Sequence, residues 1–505
     1  MCGIYLSEVP SDEEIKYYIA CRGKDFQSEA VCGNFHLFSS VLSIRSSVPQ
    51  PFVEFSFTFL YNGEIYNDEE SDTLFIARAV KDIRHKDTNE NVDGINGAFT
   101  FVNELYKRLK GHEVLLESEF ALVITDGKIA CFFKDDVGKR SLGYRLSPFT
   151  LSSVNYDIEV DPMKFYIYDS STKKIYWRLK EQTGIVREYL NRMGSIKEYL
   201  FSEKYKKEYS FLTEYENIIT SNTTGMHQAD ISLSPGPGLC RIGYVSVLHS
   251  LLESSFKTRR CYGNPVIFFS GGIDSLILAI YTHLTMDSEK TIYLINTATE
   301  GSFDCIQGIK SYQDLQSTFP NRNFVFVENN LKLDEIKKHR AVVKYLMHPK
   351  KGWMDFNIAS VLYFTAMCAS AYGKVVYLGS GADEIFGGYN KYINDIRDRN
   401  TVKYSRVRSH MLFDLFTISA HNIARDDRAI SHWNVEARFP LLDYKIIEFS
   451  LSLPTSCFID ERFPENKAIL RNLLRFHGFD RAAGTPKKAM QYGTGMSRYE
   501  SQILP

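Results

Sequence analysis

The feature that most constrains this chain is a single junction. Val266-Ile-Phe-Phe269 runs without a break into Ser270-Gly-Gly-Ile-Asp-Ser275, and then into an apolar stretch with helical spacing. A strand that feeds glycines into a helix N-terminus builds a nest of backbone N–H groups aimed at an anion. Gly271 and Gly272 tolerate positive φ and let a phosphate come close, and the Ser270 and Ser275 hydroxyls can donate to its oxygens. Asp274 beside a phosphate makes sense when Mg²⁺ stands between the two, because bare carboxylate and phosphate repel. No Lys follows the glycines, so this is not a Walker loop, and γ-phosphoryl transfer is not the natural chemistry. Taken alone, the hexapeptide competes with an ordinary glycine turn.

Its surroundings favour the phosphate loop. After residue 240, helices and apolar strands alternate: strand Pro265–Phe269, helix Leu276–Leu284, strands Ile292–Ile295 and Phe324–Val327, helix Ile358–Tyr372 and strand Val375–Leu378. That order predicts a doubly wound parallel sheet of the α/β class, whose ligands bind beyond the carboxyl ends of the strands. Loops 270–275 and 379–384 then share one crevice. The second loop, Gly379-Ser-Gly-Ala-Asp-Glu384, brings Asp383 and Glu384. Asp274 and Asp383 are the candidate Mg²⁺ ligands. An acidic first turn of a helix is the competing explanation for the Asp383-Glu384 pair.

The first 160 residues read differently, as short β runs such as Phe35–Arg45, Phe55–Tyr61, Phe120–Thr125, Ile129–Lys134 and Thr150–Val154. Asp126-Gly127 marks a hairpin turn, Asp72–Arg84 a helix, and Phe165–Asp169 with Lys174–Arg178 a further hairpin. This is an α+β, layered-sheet pattern. We therefore divide the chain into 1–180, a polar connector over 181–240 containing the breaker Ser234-Pro-Gly-Pro-Gly238, and 241–505.

A formal net charge of −1 argues against a general nucleic-acid or acidic-membrane binder. No run of about 18 apolar residues or basic leader is present. Nine cysteines without CxxC pairs fit reduced thiols in the cytoplasm.

Cys2 adds a nucleophile. If Met1 is removed, one residue carries both a thiol and an α-amine, and an amine with pKa about 7.7–8 can take the thiol's proton near neutrality. Met1-Cys-Gly-Ile4, Arg22-Gly-Lys-Asp25, Tyr61-Asn-Gly-Glu-Ile-Tyr-Asn67, Ser71-Asp-Thr73 and Lys134-Asp-Asp-Val-Gly-Lys-Arg140 follow in the order seen in class II glutamine amidotransferases. Arg425-Asp-Asp-Arg428, Glu436-Ala-Arg-Phe-Pro-Leu-Leu-Asp443 and Pro486-Lys-Lys-Ala-Met-Gln-Tyr-Gly493 resemble the C-terminal half of asparagine synthetases, closest to the asparagine synthetase domain-containing protein 1 group.

The resemblance implies an N-terminal Ntn-hydrolase-type αββα glutaminase domain and a C-terminal ATP-pyrophosphatase domain. It further implies that Asn62 and Gly63 form an oxyanion hole and that Glu64 and Asp72 hold the glutamine α-amino group. Ile295, Gly379 and Ser380 would contact ATP, and Lys487 or Lys488 would clamp its phosphates. Glutamine, aspartate and ATP are the implied substrates and ATP and Mg²⁺ the cofactors, with a homodimer left open.

Three departures stand out. Lys24 replaces a Pro, and Val41 occupies the place of the strand Arg that grips the glutamine carboxylate, for which Arg45 on the same strand face is the substitute. Ser380 stands where typical asparagine synthetases have Glu, and a Ser is no general base at neutral pH without help. An amidotransferase with another acceptor, an adenylating enzyme for RNA or a metabolite, and a non-catalytic interaction protein are the alternatives.

Overall fold

The structure, a computed structural model, describes residues 2–45, 48–66, 71–86, 94–110, 118–180, 239–397, 403–459 and 465–503. Among them three sheets form. The first joins β1 (Cys2–Ser7), β2 (Phe26–Cys32), β3 (Phe35–Val41), β8 (Gly143–Leu146), β9 (Phe149–Ser152) and β10 (Ile158–Glu159) in the order β10-β8-β9-β1-β3-β2. The second joins β4 (Phe52–Glu54), β5 (Phe57–Glu64), β6 (Glu119–Thr125), β7 (Ile129–Lys134), β11 (Lys164–Asp169) and β12 (Lys174–Leu179) in the order β12-β11-β7-β6-β5-β4. Both are antiparallel throughout.

Period-two alternation sorts their side chains into layers. Ile4, Leu6 and Leu37 of the first sheet meet Leu60, Val123 and Phe132 of the second. The opposite face of the second sheet, with Phe59, Tyr61, Phe120 and Leu122, packs on helices α2 (Asp72–Lys86) and α3 (Gly94–Lys110) through Ile76, Val80, Val102 and Leu105. On the outer face of the first sheet, Tyr5 and Phe38 pack with Ile15 and Ile19 of α1 (Glu13–Cys21). The layer order is therefore helix, sheet, sheet, helices.

The third sheet is wholly parallel: β13 (Val266–Phe268), β14 (Ile292–Ala298), β15 (Phe324–Asn330), β16 (Val375–Tyr377) and β17 (Glu436–Arg438), ordered β15-β14-β13-β16-β17. Helices α4 (Leu239–Thr258), α5 (Ile273–Thr285), α6 (Phe303–Thr318), α7 (Leu333–Met347) and α8 (Trp353–Ala369) accompany it, and a short α9 (Ala382–Phe386) follows β16. Successive strands move outward from β13 to β15, then return to the other side of β13 as β16. The sheet's switch point therefore lies between the ends of β13 and β16, where an open parallel sheet places its ligands. Both loops singled out in the sequence arise there.

Helices α3, α6 and α7 and strand β17 were not expected from the sequence, and most of the 181–240 connector lies outside the described residues. The outer helix layer and the parallel half share one continuous hydrophobic core, running from Ile15 and Tyr18 to Tyr363 and Val435. Among the described residues no helix is long and apolar enough to cross a membrane.

Candidate active sites

The first site is a pocket lined by Cys2, Val41, Leu42, Arg45, Gln50, Tyr61, Gly63, Glu64, Asp72 and Thr73, with Glu436 entering from the parallel half. Cys2 lies on β1 opposite Val41, and its backbone N–H donates to Asn62 Oδ1 at 2.8 Å. Asn62 and Gly63 sit inside β5, paired with Ala121 and Phe120, so the Asn-Gly pair is not a hairpin turn. Gly63 has φ 142°, and a Cβ there would come within 1.9 Å of the Glu119 carbonyl oxygen, so no other residue fits. Asn62 Nδ2 is buried and donates to nothing among the described residues. A buried donor without a partner costs roughly 1–3 kcal/mol, which a ligand oxygen would recover.

Arg45, Glu64 and Asp72 do come together. Arg45 Nε lies 2.8 Å from Glu64 Oε1, and its Nη2 bonds both Asp72 and the Ile65 carbonyl. The strand that was to carry Arg45 ends at Val41, however, so Arg45 reaches the pocket from the following loop and not from the same strand face. Burial raises the carboxyl pKa of both Glu64 and Asp72, opposed at Glu64 by Arg438 and Arg45. Burial also raises the Cys2 thiol, opposed in part by the nearby Arg22 charge.

The second site lies at the ends of β13 and β16. Gly271 has φ 75°, and a Cβ on it would meet the Gln307 carbonyl oxygen at 2.5 Å. Its own carbonyl accepts from Ser311 Oγ at 2.8 Å, which fixes the loop against α6. At Gly272 a Cβ would meet only Ser270 Oγ, so the cradle is open on that side. The Ser270 and Ser275 hydroxyls lie 3.3 Å apart across it. Gly379 packs on Asp274, where a Cβ would come within 2.8 Å of the Asp274 Cβ, and Ser380 follows it half-buried at the crevice.

The two candidate Mg²⁺ ligands meet on a side chain the sequence did not point to. Lys467 Nζ lies 2.6 Å from both Asp274 oxygens and 2.7 Å from Asp383 Oδ1. Lys467 is buried and has φ 55°, and Lys487 Nζ lies 2.7 Å from Asp383 Oδ2 on the other side. Against burial, Lys467 and Lys487 hold the Asp383 carboxyl well below the usual carboxylate range. Two carboxylates sharing one cation beside hydroxyls form a hard-oxygen donor set that suits Mg²⁺.

Of the two tail lysines, Lys487 faces the carboxylates, while Lys488 Nζ lies over the Phe303 ring, 4.2 Å from its centroid. Ile295 belongs to β14. It is buried in mid-strand, its carbonyl accepting from the Phe269 amide at 2.9 Å, three residues short of the β14 end where a ligand would lie.

A family model for asparagine synthase matches residues 248–402 and 393–504, together just over half of the chain. The chain belongs to that family. Its curated relatives include asparagine synthetase domain-containing protein CG17486 of Drosophila melanogaster, 26% identical over 98% of this chain and 97% of the relative. Asparagine synthetase domain-containing protein YML096W of Saccharomyces cerevisiae is 27% identical over 94% and 87% of the two chains. Putative asparagine synthetase [glutamine-hydrolyzing] 1 of Methanocaldococcus jannaschii is 24% identical over 96% and 87%.

In this asparagine synthase family member the sequence reading missed Lys467, Glu436 and Arg438 as site residues. Glu436 and Arg438 stand in a run that resembled the family, but β17 was not foreseen, so nothing placed them against the Cys2 pocket. Lys467 had no motif or periodicity to mark it.

Proposed function

We propose that this protein is a glutamine-dependent, ATP-consuming amide-forming enzyme that makes asparagine from aspartate. Cys2, freed of Met1, attacks the glutamine side-chain amide while Asn62 Nδ2 and the Gly63 N–H hold the oxyanion. Glu64 and Asp72 bind the glutamine α-amino group once Arg45 turns from them to its carboxylate. Loop 270–275 cradles the pyrophosphate of ATP, and Lys467 and Lys487 stabilise the charge that develops on it as the aspartate carboxylate attacks the α-phosphate, the bond to the β-phosphate breaks and aspartyl adenylate forms. Asp274 and Asp383 would hold Mg²⁺, which supplies charge neutralisation at the phosphates. Glu384 serves as the base that Ser380 cannot be.

The observation that carries this reading is the pairing of an orphaned buried donor at Asn62, beside Cys2, with a shared Asp274–Lys467–Asp383 cluster at a parallel sheet's switch point. The test is mass spectrometry of products after incubation with glutamine, aspartate, ATP and Mg²⁺. Asparagine with glutamate, AMP and pyrophosphate is expected, and Cys2→Ala should retain synthesis only with ammonia. Glutamate alone, or another amide when other acids are offered, overturns the assignment of aspartate.

A further inference from the structure

The Cys2 pocket is not completed by its own sheets. Glu436, the first residue of β17 in the parallel sheet, lines it together with Cys2 and Glu64. Around it the second half of the chain holds the Cys2 strand at several points. Arg22 Nε donates to the Cys2 carbonyl at 3.3 Å, while its Nη2 bonds Asp427 at 2.8 Å with both side chains fully buried. Asp427 also accepts from the Ser141 backbone N–H at 3.1 Å. The Lys24 backbone N–H donates to Asn434 at 2.9 Å. Of this segment Glu436 lines the pocket, while Asp427 and Asn434 hold Arg22, Ser141 and Lys24 beside the Cys2 strand.

Glu436 is nine-tenths or more buried, its Oε1 lies 2.9 Å from Arg438 Nε, and Arg438 Nη2 lies 3.6 Å from Glu64. It is an anion: burial raises its carboxyl, but the N-terminal amine first, and then Arg438 and Arg140, bring it down to about 2. Its charge also reaches the Cys2 thiol. A fixed buried anion at that point opposes a thiolate and favours an ammonium. For a nucleophile that carries its own base, this is the useful sign.

We propose that Glu436 is a positioning residue for glutamine hydrolysis, holding the Cys2 α-ammonium that forms when the α-amine takes the thiol proton. The inference rests on the glutaminase reading above. In the step it serves, the proton passes from Sγ to the α-nitrogen and the sulfur lone pair forms the S–C bond to the glutamine amide carbon. The C–N bond then breaks, with the ammonium proton passing to the departing nitrogen as ammonia leaves. Water cleaves the resulting thioester to glutamate and returns the proton to sulfur. Glu436 exchanges no proton; it raises the basicity of the amine and fixes its direction. Because β17 belongs to the parallel sheet, the glutaminase nucleophile depends on the half of the chain that carries the phosphate loop.

The other charged groups around the thiol are Arg22 at the end of α1, Glu64 on β5, Arg45 in the loop after β3, Asp72 on α2, and Arg438 on β17. Glu436→Gln keeps the shape and removes the charge, which also lowers the Glu64 and Asp72 carboxyls that Glu436 raises. The experiment is the pH profile of glutamine hydrolysis by the full chain, with mass spectrometry of the first residue and a thermal melt for each variant. In wild type the acid limb reports the α-amine. In Glu436→Gln that limb should move about one unit lower, since a lost anion lowers the amine's basicity, and the plateau rate should fall at least about tenfold. Glu436→Asp should recover part of both. A Glu436→Gln protein that melts like wild type and keeps both limb and rate overturns the inference while leaving the glutaminase reading intact. A wild-type chain that retains Met1 or hydrolyses no glutamine overturns both.

Discussion

Lys467 Nζ lies within 2.6–2.7 Å of both Asp274 and Asp383, so one buried ammonium joins the phosphate loop after β13 to the acidic loop after β16. Each carboxylate has a mechanistic reason to be there, but without a cation between them two such groups cannot share a crevice. Burial alone would push the Asp274 carboxyl up, and it does, with Lys467 opposing.

Lys467→Met should therefore cost stability, because it strands two paired carboxylates. Breaking a buried ion pair by removing one partner costs about 3–5 kcal/mol, and the part exposure of both carboxylates places this case at the low end. Added Mg²⁺ should raise the Tm of the variant more than that of wild type, since the vacated position is lined by hard oxygens. Thermal melts with and without Mg²⁺ check this. Equal shifts in both proteins would remove the carboxylate pair as a cation site.

Asn62 separates two roles that an alanine scan would merge. Its Oδ1 accepts from the Cys2 backbone while Nδ2 has no partner among the described residues. Asn62→Asp keeps the acceptor, deletes the donor and adds a negative charge, so Cys2 should stay in register while the oxyanion loses a hydrogen bond and faces a carboxylate. Loss of one oxyanion-hole donor is worth on the order of 10²–10³ in kcat. Steady-state kinetics on glutamine should show that fall with KM changed little. A matching loss in KM would mean that Nδ2 binds the ground state instead.

Much of this was legible from residue order, and the reasons are local. The phosphate loop announces itself because glycines, hydroxyls and an apolar strand are contiguous from Val266 to Ser275. Short runs rich in Val, Ile and Phe bounded by turns predicted β6 and β7 closely, down to the Asp126-Gly127 turn, where Asp126 Oδ1 accepts from the backbone N–H of Lys128 and of Ile129. What stayed hidden depends on distant packing. Lys467 is selected by two carboxylates 193 and 84 positions away in the chain. Glu436 matters only because β17 adds to the edge of a sheet whose order is not encoded near it. Arg45 was expected on a strand that ends four residues earlier, since the alternation past Val41 looks the same whether or not a partner strand continues.

Asp304 gives the fold a pH signature. It is buried at the start of α6 against Gly493, and burial raises its carboxyl to about 7, with Lys488 opposing. Its unfolded value is near 3.9, so between roughly pH 4 and 7 the unfolded chain has lost a proton that the folded chain still holds. The folded state binds more protons there, and stability falls as pH rises through that window. A shift of about 3 units is worth on the order of 4 kcal/mol. Asp304→Asn should flatten this dependence, with its largest gain over wild type at pH 8 and little difference at pH 4. Urea midpoints at the two pH values decide it, and parallel curves for the two proteins would show that Asp304 ionises normally.

Glu384 bears on the chemistry left open by Ser380. It is buried one residue past Asp383, and its Oε1 accepts from the Tyr389 hydroxyl at 2.6 Å and from Asn422 Nδ2 at 2.8 Å. Burial, reinforced by the Asp383 charge, raises its carboxyl to about 7. A carboxylate poised there can take a proton from nitrogen as the amide bond forms, because its basicity matches the working pH. Ammonia-driven synthesis, plotted against free NH₃ to remove ammonia's own ionisation, should rise through pH 7 in wild type. In Glu384→Gln the rate should fall by about 10²–10⁴ and that rise should disappear, while release of pyrophosphate in the first half-reaction persists. If the rise through pH 7 survives in the variant, the proton goes to another group and the place that Ser380 vacates has not been filled by its neighbour.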